Sequence, residues 1–218
     1  MIATDSAHSS DIENMDAEFP ALLAAARSGN REALGTLLQW YANYLTILAS
    51  THLDRRLRRR LSPSDIVQEA MLAAHQDFGD FRGHSQGELL CWLRTILIHT
   101  LHRSFDKHVK VGKRDVRREV SLEAVTNQLE ESAINLASIL PADGPSPSAP
   151  MRARERSVEL ANQLAKLKPA YREVITLRVL KGLSFDEIAE QMGRGSGAVR
   201  MLWLRALEAY KTTGDSIE

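Results

Sequence analysis

Residues 183–210 read LSFDEIAEQMGRGSGAVRMLWLRALEAY. Ser184 can cap a helix, and Glu187, three residues on, can close a capping box. Phe185, Ile188, Ala189 and Met192 recur at helical spacing until Gly193-Arg194-Gly195 interrupts them. Glycine takes the left-handed backbone that a tight turn needs. Ser196 is placed to cap a second helix, whose Val199, Leu202, Trp203, Ala206, Leu207 and Tyr210 make one apolar face. Arg200 and Arg205 lie off that face. A short helix, a glycine turn and a second helix with free arginines near its start is the build of a helix-turn-helix, whose second helix enters the DNA major groove. An αα-hairpin that only packs would show the same apolar face, so the pattern needs support from the rest of the chain.

Working outward, the 218 residues suffice for one large or two small domains, and 44% hydrophobic with 26% charged content is ordinary for a globular protein. Aromatics are few and Leu, Ala, Arg and Glu are abundant, which favours an all-α chain. Cys91 is the single cysteine, which excludes an intrachain disulfide and a cysteine-based zinc site. No signal peptide or membrane-length apolar run is present, so the cytoplasm is the expected compartment and no membrane insertion is expected.

The net charge is zero, but its distribution is uneven. Residues 1–18 and 122–150 together hold nine acidic and no basic residues, leaving 28 basic against 19 acidic residues elsewhere. The basic residues concentrate at Arg55-Arg56-Leu57-Arg58-Arg59-Arg60 and again from Arg103 to Arg118. Such clusters suit a polyanion, whereas one charge run alone is commonly a solvated helix face.

Residues 1–18 form an acidic tail expected to be disordered. Helical spacing begins at Phe19, breaks at Ser28-Gly29-Asn30, and resumes as one long helix from about Arg31 through Leu48. Ser62-Pro63-Ser64 is a start signal, with Ser64 a candidate cap. The helix it opens carries Ile66, Val67, Ala70, Met71 and Ala74. A loop from Gly79 to Gly87 leads to a helix expected from about Glu88 to Lys110, with Trp92 inward. Residues 113–151 read as a linker: basic at first, weakly amphipathic over 121–140, and Pro/Ser-rich in PADGPSPSAP at 141–150. A second domain spans 152–212. The fold expected is all-α, two helical domains joined by a flexible linker.

The stretch LKPAYREVITLRVLKGLSFDEIAEQMGRGSGAVRMLWLRAL at 167–207 resembles region 4 of bacterial RNA polymerase sigma factors of the extracytoplasmic-function (ECF) class. Independently, GNREAL at 29–34, SPSDIVQEAMLAA at 62–74, and FRG at 81–83 followed by WLRTIL at 92–97 resemble region 2, over residues 19–112. The resemblance implies a sigma factor that binds core polymerase, recognises minus-35 and minus-10 elements, assists melting and directs initiation. It implies no enzymatic activity and no cofactor. The implied partners are core RNA polymerase, through the largest-subunit coiled coil and the flap, and promoter DNA. An anti-sigma factor is a further candidate partner, and the free chain is expected to be a monomer.

Residue roles follow position by position. Asp65, Gln68, Glu69 and Leu72 form one stripe, implied to dock on the polymerase. Arg82, His84 and Ser85 of the loop, then Arg103, Lys107, Lys110, Lys113 and Arg114, are implied to meet the minus-10 element. Ser196, Arg200, Met201, Leu204 and Arg205 are implied to meet the minus-35 element. Gly195 stands where many relatives carry a serine before a proline. The acidic linker is expected either to occupy a positively charged path in the polymerase or to act as a soluble tether. The competing function is a helix-turn-helix regulator that is not a polymerase subunit. A metal-dependent enzyme built on His99, His102 and His108 lacks convergent further ligands.

Overall fold

The computed structural model describes residues 8–53, 61–109, 121–138 and 149–215. Among them the regular structure is helical throughout: α1 (His8–Arg27), α2 (Arg31–Trp40), α3 (Ala42–His52), α4 (Pro63–Asp77), α5 (Gln86–Val109), α6 (Leu122–Ser138), α7 (Ala149–Lys166), α8 (Pro169–Ile175), α9 (Phe185–Met192) and α10 (Ser196–Asp215). A single 3-10 turn (Phe78–Asp80) follows α4, and one π turn (Thr176–Leu180) prolongs α8.

Local signals account for most of the boundaries. Asn30 caps α2, its side chain accepting from the Glu32 and Ala33 amides at 3.0 and 3.1 Å. Pro63 opens α4 at its first turn, where a missing N–H costs nothing. The cap there is Ser62 rather than Ser64: the Ser62 hydroxyl accepts from the Ser64 amide at 3.2 Å. The expected long helix divides at Tyr41 (φ −98°, ψ −1°) into α2 and α3. Apolar spacing runs on through this one-residue kink because Leu37, Tyr41, Tyr44, Leu45 and Leu48 all still reach the core. Helix α1 begins at His8, inside the tail expected to be disordered, and its Met15 packs against the core.

The largest amendment concerns the linker. At its centre stands α6, whose Val125, Leu129, Ala133 and Leu136 are buried while the acidic Glu123 and Glu131 stay outside. This helix packs against α3 and α5 of the first domain and against α7 and the π turn of the second. Polar bonds fix its register. The Ser132 hydroxyl donates to the Thr51 hydroxyl at 3.1 Å, and Gln128 donates to the Thr51 carbonyl at 3.4 Å. Asn135 donates to the Leu180 carbonyl at 3.2 Å. Glu130 pairs with Arg94 of α5 at 3.4 Å, where the Arg94 side chain is only 12% exposed.

The two domains also touch directly. Helix α3 meets α7 and the π turn, and Asn43 donates to Asn162 at 2.9 Å. One apolar core therefore runs from Phe19 to Ala206 through both domains. In the second domain Arg172 of α8 donates to the carbonyls of Leu164, Ala165 and Leu167, satisfying the open end of α7.

Candidate polymerase and nucleic-acid interfaces

Helix α4 divides cleanly. Ile66, Val67, Ala70 and Ala74 are buried, while Asp65, Gln68, Glu69 and Leu72 are exposed together on the opposite side. Leu72 leaves 60% of its surface to solvent and is one of five exposed large apolar side chains among the described residues. An exposed leucine flanked by two carboxylates and an amide is a poor core face. It suits a partner that offers an apolar contact ringed by basic groups.

The loop after α4 is built on an aromatic floor. Phe78, Phe81 and Trp92 form a cluster with ring centroids 5.2–6.2 Å apart. Trp92 is half-buried there, in keeping with its expected inward position. Gly83 presses onto the floor so closely that a Cβ would lie 2.5 Å from the Phe81 ring and 2.7 Å from the Glu88 Cβ. Above the floor, Ser85 and Glu88 form a capping box that begins α5. The Glu88 carboxylate accepts from the His84 amide (2.8 Å), the Ser85 amide and the Ser85 hydroxyl (both 2.9 Å), and the Ser85 hydroxyl accepts in turn from the Glu88 amide at 3.3 Å. These bonds, the His84 amide foremost, hold the Glu88 carboxyl below the usual carboxylate range. The Ser85 hydroxyl is thus committed within the loop. Arg82 and His84 remain exposed, Arg82 donating to the Gly79 carbonyl at 2.8 Å.

Residues outside the loop complete this region. Arg27, at the end of α1, donates to the Gly83 carbonyl at 2.6 Å and contacts the His84 Nδ1 at 3.2 Å. A groove of about 610 Å³ lies between the α1–α2 turn and the loop, lined among others by Arg27, Asn30, Arg31, His75 and Arg82. Sequence reasoning missed Arg27, Asn30 and Arg31, because nothing in the spacing connects the α1–α2 turn to a loop 56 residues away. It also missed Glu88, although S-x-x-E at 85–88 repeats the signal recognised at 184–187.

Arg103 and Lys107 stand exposed on the C-terminal half of α5. Lys110, Lys113 and Arg114, like the arginine run at 55–60, lie outside the described residues.

The helix-turn-helix forms as its sequence indicates. Ser184 and Glu187 close a capping box, and Gly193 takes the left-handed backbone (φ 65°) at the end of α9. Arg200, Met201, Leu204 and Arg205 are exposed on α10, with Met201 and Leu204 at 50% and 57%. At about 100° per residue they occupy an arc of about 140°. Behind them Val199, Leu202 and Ala206 are buried. Two guanidinium groups approach the Phe185 ring, Arg178 at 4.9 Å and Arg200 at 5.8 Å from its centroid. Ser196 departs from expectation. It lies within the first turn of α10 rather than before it, and its hydroxyl oxygen is buried without a partner. The Gly195 carbonyl accepts the first helical bond instead, from Val199 at 3.1 Å. Tyr210 ties α10 to α7, donating to Gln163 at 2.6 Å.

Among the described residues no cluster of His, Cys, Asp and Glu has metal-binding geometry, and no helix is long and apolar enough to cross a membrane.

Comparison with known proteins bears on the helix-turn-helix and on the family. Residues 157–209, which contain the helix-turn-helix, match the family "Sigma-70, region 4". The ECF RNA polymerase sigma factor SigD of Mycobacterium tuberculosis (strain ATCC 25618 / H37Rv) is 30% identical over 192 residues, 88% of this chain and 81% of that protein. The ECF RNA polymerase sigma-E factor of Escherichia coli (strain K12) is 29% identical over 188 residues, covering 86% of this chain and 90% of its own length. A solved structure of CnrH in complex with the cytosolic domain of CnrY aligns over 91% of this chain and 98% of that one, at 21% identity and a TM-score of 0.31, too low for the shapes to be compared. On its identity to these relatives over most of their length, the chain belongs to the ECF family of RNA polymerase sigma factors, which are not enzymes.

Proposed function

We propose that this chain binds core RNA polymerase through the exposed stripe of α4, reads the minus-35 element with α10, and captures the minus-10 non-template strand at the loop after α4, so assisting promoter melting. The α4 stripe carries the proposal. A regulator that merely binds DNA has no use for Asp65, Glu69 and a solvent-exposed Leu72 on a helix remote from its recognition helix. Melting needs a base to leave the stack, at a cost of a few kcal/mol that a basic, partly aromatic site offsets. Arg82, His84, Arg103 and Lys107 supply the charge and hydrogen-bond donors for it. On α10, arginine can bond guanine N7 and O6 in bidentate fashion, while Met201 and Leu204 offer apolar contact to thymine methyl groups.

In this reading the chain acts in the cytoplasm, where the polymerase is, and is a monomer until it meets it. An anti-sigma factor acting on it would compete for one of these exposed faces. Runoff transcription with core polymerase, followed by sequencing of transcript starts, tests the whole proposal: promoter-specific transcripts are expected only when the chain is added. A pull-down tests its first step. Asp65→Ala with Glu69→Ala should abolish core binding while circular dichroism stays unchanged, and retained binding would leave a DNA-binding regulator as the better description.

A further inference from the structure

Arg27 ends α1, a helix that carries none of the promoter-facing groups named above. Its position is nonetheless well anchored. The Ser28 hydroxyl donates to the Ala25 carbonyl at 2.7 Å and the Asn30 amide to the same carbonyl at 3.0 Å, while Asn30 caps α2. From this closed turn the guanidinium crosses to the loop and divides its donors, Nη2 to the Gly83 carbonyl at 2.6 Å and Nη1 to the His84 Nδ1 at 3.2 Å.

We propose that Arg27 is a positioning residue for minus-10 recognition: it pins the Gly83–His84 backbone and sets the tautomer in which His84 offers an Nε2–H donor to the DNA. The proposal rests on the reading of this loop as the minus-10 site. Arginine has five donors and no acceptor, so a bond to Nδ1 requires that nitrogen to accept. The proton of neutral His84 then stands on Nε2, because the partner of one ring nitrogen decides the state of the other. His84 is exposed, so the Nε2–H group is available to a base edge or a phosphate. The forked shape of the guanidinium is what allows one side chain to hold a carbonyl and an imidazole together; a lysine ammonium is a single point. Arg27 also supplies a tie from a separate helix. The Arg82–Gly79 bond and the bonds to Glu88 lie within the loop and the start of α5. Arg27 therefore sets where the loop stands relative to the groove it shares with Arg31 and Arg82.

The test uses holoenzyme assembled from the full chain and core polymerase, with a fluorescent forked DNA bearing the single-stranded minus-10 sequence found by transcript-start mapping. Arg27→Ala should weaken binding of the fork by about tenfold, the scale of one well-made hydrogen bond to DNA, with core binding and thermal midpoint unchanged. Arg27→Lys should not restore it. His84→Gln, whose amide N–H stands in for Nε2–H, should retain most of the affinity that His84→Ala loses. The losses from Arg27→Ala and His84→Ala should combine to less than their product. Nitrogen-15 NMR of the free chain should find His84 as the Nε2–H tautomer, and as a mixture in Arg27→Ala. Wild-type fork affinity in Arg27→Ala, while Arg82→Ala and His84→Ala lose it, would overturn the role of Arg27 and leave the loop's role standing, as would an unchanged His84 tautomer. Wild-type affinity in all three variants would overturn the minus-10 reading and the proposal with it.

Discussion

At the scale of single residues, chemistry and exposure together sort the arginines. Arg200 and Arg205 are exposed on the outer arc of α10, whereas Arg172 and Arg94 are spent inside the fold on carbonyls and on Glu130. Equal charge in the sequence thus conceals different work. Arg200→Ala is expected to relax preference at one base position of the minus-35 element, by about 1–3 kcal/mol. Arg103→Ala should instead weaken binding to all promoters alike and lower the salt dependence by about one counterion. Binding titrations against a panel of promoter variants at two salt concentrations separate these outcomes, and sequence-blind losses from both variants would contradict the assignment. Met201 and Leu204 belong with Arg200, since exposing two large apolar side chains on one arc is otherwise unfavourable.

At the scale of elements, the helix-turn-helix shows how far local chemistry reaches. The Ser184–Glu187 box, the glycine turn and the apolar face of α10 are all visible as spacing, and all three form. Ser184→Ala should lower stability by about 1 kcal/mol, read as a shift in a denaturant midpoint. Helix α6 marks where spacing falls short. Its apolar residues recur at intervals of four, four and three, yet a short amphipathic stretch with no partner in view reads as well for a surface helix or a tether. Only its neighbours make it a core element: Leu129 and Leu136 are fully buried between the domains. Leu129→Ala is expected to cost about 2–5 kcal/mol, far more than a substitution in a solvated tether, where the change stays within about 0.5 kcal/mol. Chemical denaturation measures the difference.

At the scale of the whole molecule, the described arrangement holds both domains on one core, and the proposed function requires them apart. The minus-35 and minus-10 elements lie about 25 base pairs apart by their names, or about 85 Å of duplex at 3.4 Å per base pair. A compact chain of 218 residues has a radius of gyration near 17 Å, by the usual scaling of about 2.2·N^0.38 Å. One compact body does not span that length, so the proposed function calls for α6 to release at least one domain on the polymerase. Fluorophores on the exposed faces of α4 and α10 should report a short distance in the free chain and a long one after core polymerase is added. No change in transfer would rule out this opening. The same junction carries a pH dependence. His52 ends α3 at the junction with the π turn, and burial, aided by nearby Lys181, pushes its pKa down to about 4. The folded chain thus prefers neutral His52, and its stabilising effect is complete above the unfolded value near 6.5. It is lost as pH falls from there through 4. Unfolding midpoints should therefore decline across that window, on the order of 3 kcal/mol at most, and His52→Gln should flatten the decline. The exposed Glu88 and Glu187, whose carboxyls are held low by their capping bonds, keep their effect above the ordinary glutamate value and lose it as pH falls from there through their lowered values.

Sequence by itself determined most of the helices, the Ser184–Glu187 capping box, the exposed stripe of α4 and the exposed arc of α10, because each depends on contacts within a few residues along the chain. It also placed Arg82 and His84 on one loop. Tertiary structure decided what distance along the chain conceals: the kink at Tyr41, the inward turn of the Ser196 hydroxyl, the reach of Arg27 across to Gly83 and His84, and the burial of α6 between the domains. Helix periodicity says which face of an element is apolar. What that face meets is settled only when the remaining helices pack against it.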